Sequence, residues 1–139
     1  MIPWVYVTVA DVLSFHEQEV GEKQEVGQPV RDLGRLEAAV HRPQATAFGV
    51  DVFPDLYTKA AALFQAIDHG QPFPDGNKRA AWGAMRLFCL LNGFQFTMGE
   101  VDAYDFAMWV AESGSLLEVK DIAVTLKHHI IPIPDPPED

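Results

Sequence analysis

Two stretches of apolar residues at helical spacing dominate this chain, and they follow one another almost directly. In the first, Leu56, Ala60, Leu63, Phe64 and Ile67 recur until His69. In the second, Ala80, Ala81, Ala84, Leu87, Phe88 and Leu91 fall at i, i+3, i+4 steps. The second stripe predicts a central, mostly buried helix over about 78–92. Between the two lies His69-Gly70-Gln71-Pro72-Phe73-Pro74-Asp75-Gly76-Asn77-Lys78-Arg79, with two glycines, two prolines, an acid and two bases. A plain connection between helices does not need that much polar chemistry.

The rest of the chain also reads as helical. Thr8 followed by Asp11 resembles the start signal of a helix over about 9–20, although a capping box proper carries Glu or Gln. Residues 21–30, with Gly21, Gly27 and Pro29, read as a loop. Asp32 caps a short helix to about Val40 with Leu33, Leu36, Ala39 and Val40 facing inward, and Pro43 closes it. Residues 43–53 read as irregular. Pro54 suits the first turn of the next helix, and Gly70 suits its end. Phe94-Gln95-Phe96 reads as a short strand. Thr97 with Glu100 predicts a helix over about 98–112, and Ser115 with Glu118 a last one to about His129. The expectation is an all-α fold with a single domain over 1–130 and a Pro-rich acidic tail over 131–139, extended or loose.

Composition narrows the function. The chain has 139 residues, which suits one core. Ten Lys and Arg against twenty Asp and Glu give a net charge of -10. That argues against a broad nucleic-acid surface, because phosphate binding needs clustered bases. It leaves room for a small basic pocket, or for a basic partner. No run of apolar residues is long enough to span a membrane, and the first residues lack the basic start and apolar core of a secretory signal. With the single cysteine, Cys89, this points to a cytoplasmic protein without an internal disulfide. Cys89 reads as core. His16, His41, His128 and His129 have no partners at metal-ligand spacing, and Trp4, Trp82 and Trp109 read as packing.

The polar run allows two readings on local physics. A helix N-terminus presents free N–H groups and the positive end of the peptide dipoles, and a glycine before it lets an anion come close. Gly76, Asn77, Lys78 and Arg79 match that arrangement, and Asp75 stands where a carboxylate would ligate Mg²⁺ bridging phosphate oxygens. Phe73 is an apolar anchor amid polar neighbours. Equally, Asp-Gly-Asn is ordinary turn chemistry, with Lys78 and Arg79 solvated.

A resemblance favours the first reading. Pro72-Phe73-Pro74-Asp75-Gly76-Asn77-Lys78-Arg79 resembles the signature loop of the Fic/Doc (Fido) family, which reads His-Pro-Phe-x-Asp-Gly-Asn-Lys-Arg in its Doc-like, death-on-curing branch. Val30 to Pro43 is similar to an N-terminal helix stretch of that branch, and Leu91-Asn92-Gly93-Phe94 to the end of its central helix. The resemblance implies a compact Fido-type helical bundle that transfers phosphate or, in Fic members, AMP from ATP to a protein hydroxyl. It implies that Asp75 holds Mg²⁺, that Gly76, Asn77 and Lys78 form an anion hole, that Arg79 contacts phosphate and that Phe73 is buried. Lys78 stands where AMP-transferring members have glycine and Trp82 where they have a second arginine, so phosphate transfer is implied over AMP. Doc-like members resemble toxins that phosphorylate elongation factor Tu. The sequence carries no Ser/Thr-x-x-x-Glu inhibitory motif, which fits restraint by a separate antitoxin.

One position departs from the pattern. The family's general base precedes Pro-Phe, and here that residue is Gln71. Glutamine has no basic site near neutral pH, so it cannot accept a proton from an attacking hydroxyl, a loss of about 10²–10⁴-fold in rate. Gln71 and Lys78 are thus the catalytic candidates, the first of them impaired. Either the native protein has histidine here and this chain is an inactive variant, or it is a natural pseudoenzyme that binds nucleotide or a partner. Takeover by His69 is disfavoured, since two loop residues displace a side chain by roughly 6–7 Å.

Overall fold

The computed structural model describes residues 3–20, 32–113 and 117–134. The expected loop over 21–30, Arg31, Ser115 and the end of the acidic tail lie outside them. Six α-helices and two small antiparallel ladders are described. Helix α1 is Val9–Val20, α2 Leu33–His41, α3 Leu56–Asp68, α4 Asn77–Leu91, α5 Glu100–Ser113 and α6 Val119–Lys127. The fold is therefore helical, as expected, and α4 begins one residue before the predicted start.

Helix starts follow short-range side-chain chemistry. Thr8 and Asp11 cap α1 reciprocally: the Thr8 N–H donates to Asp11 Oδ2 at 3.0 Å and the Asp11 N–H to Thr8 Oγ1 at 3.1 Å. Asp therefore fills the role that the usual box gives to Glu or Gln. Asp32 caps α2 by accepting the Arg35 N–H at 3.0 Å. The cap of α3 is Asp55, which accepts the Thr58 N–H at 2.8 Å, so Pro54 stands just outside the helix rather than in its first turn.

Helix α3 packs against α4 and α6, and α4 also against α1. The core between them contains Leu63, Phe64, Ile67, Met85, Phe88 and Leu126. The predicted apolar face of α4 is rotated at its end. Met85 and Cys89 are buried, whereas Leu91 is exposed. Burial pushes the Cys89 thiol up to about 12, which leaves it protonated and inert. At Gly83 an added Cβ would sit 2.1 Å from the Phe15 ring, so α1 packs against α4 more closely than any larger residue permits.

Three local expectations change. Within the stretch read as irregular, Thr46–Ala47 (β1) pairs with Val50–Asp51 (β2) around Phe48 and Gly49, both with positive φ. The Phe48 side chain at its tip is fully exposed. Thr97 does not cap α5. Its N–H and hydroxyl both donate to the His129 carbonyl, at 2.8 and 3.0 Å, and α5 begins at Glu100. At α6, Glu118 is the cap residue, its N–H donating to Asp121 Oδ2 at 3.2 Å. The expected strand Phe94–Phe96 (β3) is present, and Ile130–Pro132 (β4), at the start of the tail, pairs with it.

Candidate active site

The polar run begins where α3 ends. Gly70 is required there by a close approach: a Cβ would lie 2.1 Å from the Ala66 carbonyl oxygen. The chain then turns through Gln71 at φ 49°, a left-handed conformation that non-glycine residues seldom adopt. Gly76, at φ 81°, makes the second left-handed turn and opens α4. The positive φ lets the loop enter the helix with its first N–H groups facing outward.

One buried anchor and five hydrogen bonds fix the loop. Phe73 is 1% exposed and anchors it, as expected. The Asn77 amide donates to the Phe73 carbonyl at 2.9 Å while its oxygen accepts the Phe73 N–H at 3.0 Å. From α2, the Asp32 N–H reaches the Pro72 carbonyl at 3.0 Å and Arg35 the Gly70 carbonyl at 2.9 Å. From α1, His16 Nε2 donates to the Asp75 carbonyl at 2.7 Å. These bonds engage the carbonyls of Gly70, Pro72, Phe73 and Asp75.

The open side of the loop is a groove of about 840 Å³. Gln71 and residues 74–79 form one wall. Trp82 and Arg86 of α4 continue it, and Glu100, Ala103, Tyr104 and Ala107 of α5 face them, with Phe15 of α1 at the edge. The sequence candidates Gln71, Asp75, Gly76, Asn77, Lys78 and Arg79 are thus all brought together. His69 is not. It caps α3, and its Nδ1 lies 3.2 Å from the Ala111 carbonyl on α5.

Only ten residues of this acidic chain are basic. Three of them, Lys78, Arg79 and Arg86, line this groove. None of the three has a carboxylate at ion-pair distance among the described residues, unlike Arg35, Lys59 and Lys120. Arg86 lies 5.9 Å from the Trp82 ring and 5.6 Å from that of Phe96, which orients its guanidinium. The groove is therefore an electropositive patch on a negative molecule, suited to an anion.

What each residue can offer differs from the bare motif. Both polar ends of the Asn77 side chain are taken by Phe73, so Asn77 presents its backbone N–H to the groove. The first recurring helical bond of α4 is from the Ala80 N–H to the Gly76 carbonyl, at 2.9 Å. The N–H groups of Asn77, Lys78 and Arg79 precede it and have no helical acceptor. One Asp75 carboxylate oxygen accepts the Gly76 N–H at 2.8 Å, which leaves the other free. No group of three or more His, Cys, Asp or Glu residues is placed to hold a metal ion among the described residues. A divalent ion here would be shared between Asp75 and oxygens of the anion itself. That fits a metal–phosphate ligand better than a bare metal site.

Sequence reasoning missed several contributors. His16 lies in the α1 stripe one turn after Val12, and Arg86 lies one turn after Trp82, so a helical wheel would have put His16 on the buried face of α1 and Arg86 beside Trp82. Tyr104 and Glu100 come from α5 and carry no local signal. Neither does Asp68, the last residue of α3. Burial raises its carboxyl to about 7, while Lys78 pulls it down.

Comparison with known proteins places the chain among relatives. A stretch of 66 residues is 54% identical to the protein named Toxin Doc of Mycolicibacterium smegmatis, covering 48% of this chain and 51% of that protein. The chain thus matches about half the length of that curated relative. The family model described as the Fic/DOC family matches residues 6–89, which take in α1, the loop bracing from α2, all of α3 and the loop with most of α4. That match covers more than half of the chain, and the chain belongs to the Fic/DOC family.

Proposed function

We propose that the chain is a Doc-like toxin of a toxin–antitoxin pair, acting in the cytoplasm, whose groove holds Mg-ATP and whose reaction is phosphate transfer, in preference to AMP transfer, to a protein hydroxyl. The observation that carries the reading is the groove itself, where Lys78, Arg79 and Arg86, without ion-pair partners among the described residues, meet the free start of α4. The N–H groups of Asn77 to Arg79 would bind phosphate oxygens, with Lys78 over the transferring group and Arg79 beside it. The free Asp75 oxygen would hold Mg²⁺, which when bound neutralises and bridges phosphate oxygens. The identity to a protein named Toxin Doc supports a toxin, and elongation factor Tu is the substrate that the resemblance suggests.

Gln71 lines the groove, and the resemblance of the loop puts the family's base at its position. It can orient a hydroxyl by hydrogen bonding and cannot take its proton. The chain as it stands is therefore impaired in catalysis and competent in nucleotide binding. The same observation supports a second reading, a non-catalytic Fido module that binds nucleotide or a partner.

Bacterial growth and labelling with γ-labelled ATP, for this chain and for Gln71→His, test both. The toxin reading expects Gln71→His to arrest growth and label a host protein about 10²–10⁴-fold faster. Two equally harmless and unreactive chains would end it. If both still bind Mg-ATP, the binding module remains. If neither does, the nucleotide assignment of the groove is wrong.

A further inference from the structure

Asp68 is the one residue among those described whose buried side-chain oxygens lack any partner. Both carboxylate oxygens are sealed from solvent and accept no hydrogen bond. The residue is 1% exposed. A buried carboxylate without donors is expensive when ionised, so it carries a proton unless a nearby positive charge opposes this.

Among the described residues, two guanidiniums are engaged with the backbone of α3 and just past its end, Arg42 with the Ala62 carbonyl at 3.1 Å and Arg35 with the Gly70 carbonyl at 2.9 Å, and Arg79 and Arg86 of α4 line the groove. On α3 itself, His69 turns to the Ala111 carbonyl and Lys59 is committed to Pro43 and Asp51 near the other end. The buried faces of α2, α5 and α6 consist of Leu36, Ala39 and Val40, then Ala103, Phe106, Ala107 and Val110, then Ile122, Ala123 and Leu126, none of them titratable. On α4, Cys89 lies about 16 Å beyond Lys78 along the axis. On α1, His16 is bonded to the loop carbonyl of Asp75. Lys78 is the charge that acts on Asp68, and Lys78 also lines the groove.

We infer that Asp68 is the internal proton partner of the groove: an anion that engages Lys78 cancels its charge towards α3, and Asp68 then takes up a proton from solvent. This rests on the anion-binding role proposed for the groove. Asp68 does not touch the ligand. It is a positioning residue that competes with the anion for the field of Lys78. The balance is simple, since one proton leaves water and forms the O–H bond on Asp68 as the anion binds. Linkage then requires that raising pH through neutrality weaken anion binding, because the ionised carboxylate must be neutralised first.

Calorimetric titration with Mg-ATP at pH 7.5, in buffers of different ionisation enthalpy, counts the protons. The parent chain is expected to take up a substantial fraction of one proton per Mg-ATP beyond that seen in Asp68→Asn. The parent's affinity relative to that variant should fall by up to roughly tenfold from pH 6 to pH 8.5. Equal proton uptake by both chains would overturn the inference. A second measurement needs no ligand: the Asp68 carboxyl carbon is titrated by NMR in the parent and in Lys78→Met. Its midpoint should rise when the Lys78 charge is removed, and an unmoved midpoint overturns the coupling. If Mg-ATP binds neither chain, the nucleotide reading of the groove fails on its own, and the NMR titration still decides whether Asp68 answers to Lys78.

Discussion

The imidazole of His16 lies flat on the Phe73 ring, 3.8 Å between centroids and 7° between planes, while its Nε2 donates to the Asp75 carbonyl at 2.7 Å. One side chain of α1 therefore holds the loop at two points, its apolar anchor and the residue before its left-handed glycine. His16→Phe keeps the stacking and removes the hydrogen bond, which contributes about 0.5–1.5 kcal/mol. We expect Mg-ATP affinity to fall roughly 2–10-fold with little change in melting temperature. His16→Ala should lose both affinity and stability. Calorimetry with thermal melts separates the two, and unchanged affinity in both variants would refute a positioning role.

Gly83 and Phe15 predict an inverted helix-propensity effect. Glycine inside a helix is normally worse than alanine by about 1 kcal/mol. Here the alanine Cβ would fall 2.1 Å from the Phe15 ring, which must move off α4 and into the groove edge that it lines. Gly83→Ala should therefore destabilise by about 1–3 kcal/mol. In Phe15→Ala the same change should become neutral or favourable. Urea denaturation of the four chains in a double-mutant cycle measures this coupling, and additive effects would refute the contact.

The parts legible in the sequence were those set by neighbours along the chain. Asp32 capping α2, the Thr8–Asp11 start of α1, Phe73 as anchor and the strand Phe94–Phe96 depend on spacings of a few residues. Thr97 shows why the same logic fails. Its capping pattern with Glu100 is correct as a local pattern, but the turn at His129 supplies a better partner from 32 residues away. The hairpin at 46–51 was invisible because each strand has two residues and Phe48 occupies a left-handed position usually left to Gly or Asn. The motif residues of the groove were legible, and its opposite wall was not, since α5 meets α4 only through tertiary packing.

Lys59 is a buried cation whose partners explain the hairpin's attachment. Its side chain is fully buried, with Nζ 3.1 Å from both the Pro43 carbonyl and Asp51 Oδ2. It also lies 5.3 and 5.4 Å from the Trp4 and Tyr6 rings. Lys59→Met preserves volume but leaves the Pro43 carbonyl unpaired and frees Asp51 at the base of β2. The expected loss is about 1–3 kcal/mol of stability, with faster proteolytic cleavage at the hairpin. If cleavage is unaffected while stability falls, Lys59 supports the core without tethering the hairpin.

Asp68 makes a prediction about folding that is separate from its role in the groove. Its carboxyl stands at about 7 in the folded chain against an ordinary 3.8, burial being the main cause and Lys78 acting in opposition. A raised carboxyl binds its proton more tightly folded than unfolded. Its favourable contribution is full below the unfolded value near 4, declines as pH rises, and is gone above about 7. At about 1.4 kcal/mol per pH unit the ceiling is on the order of 4 kcal/mol. Asp68→Asn removes this slope, because the amide stays neutral. The variant should match or trail the parent at pH 5, where an unpaired amide is no better than a carboxylic acid, and gain on it up to about pH 7, with the difference levelling off beyond. Denaturant melts across that range measure the difference. A constant offset between the two chains would mean that Asp68 is already ionised at pH 5 or finds donors that its buried position denies it.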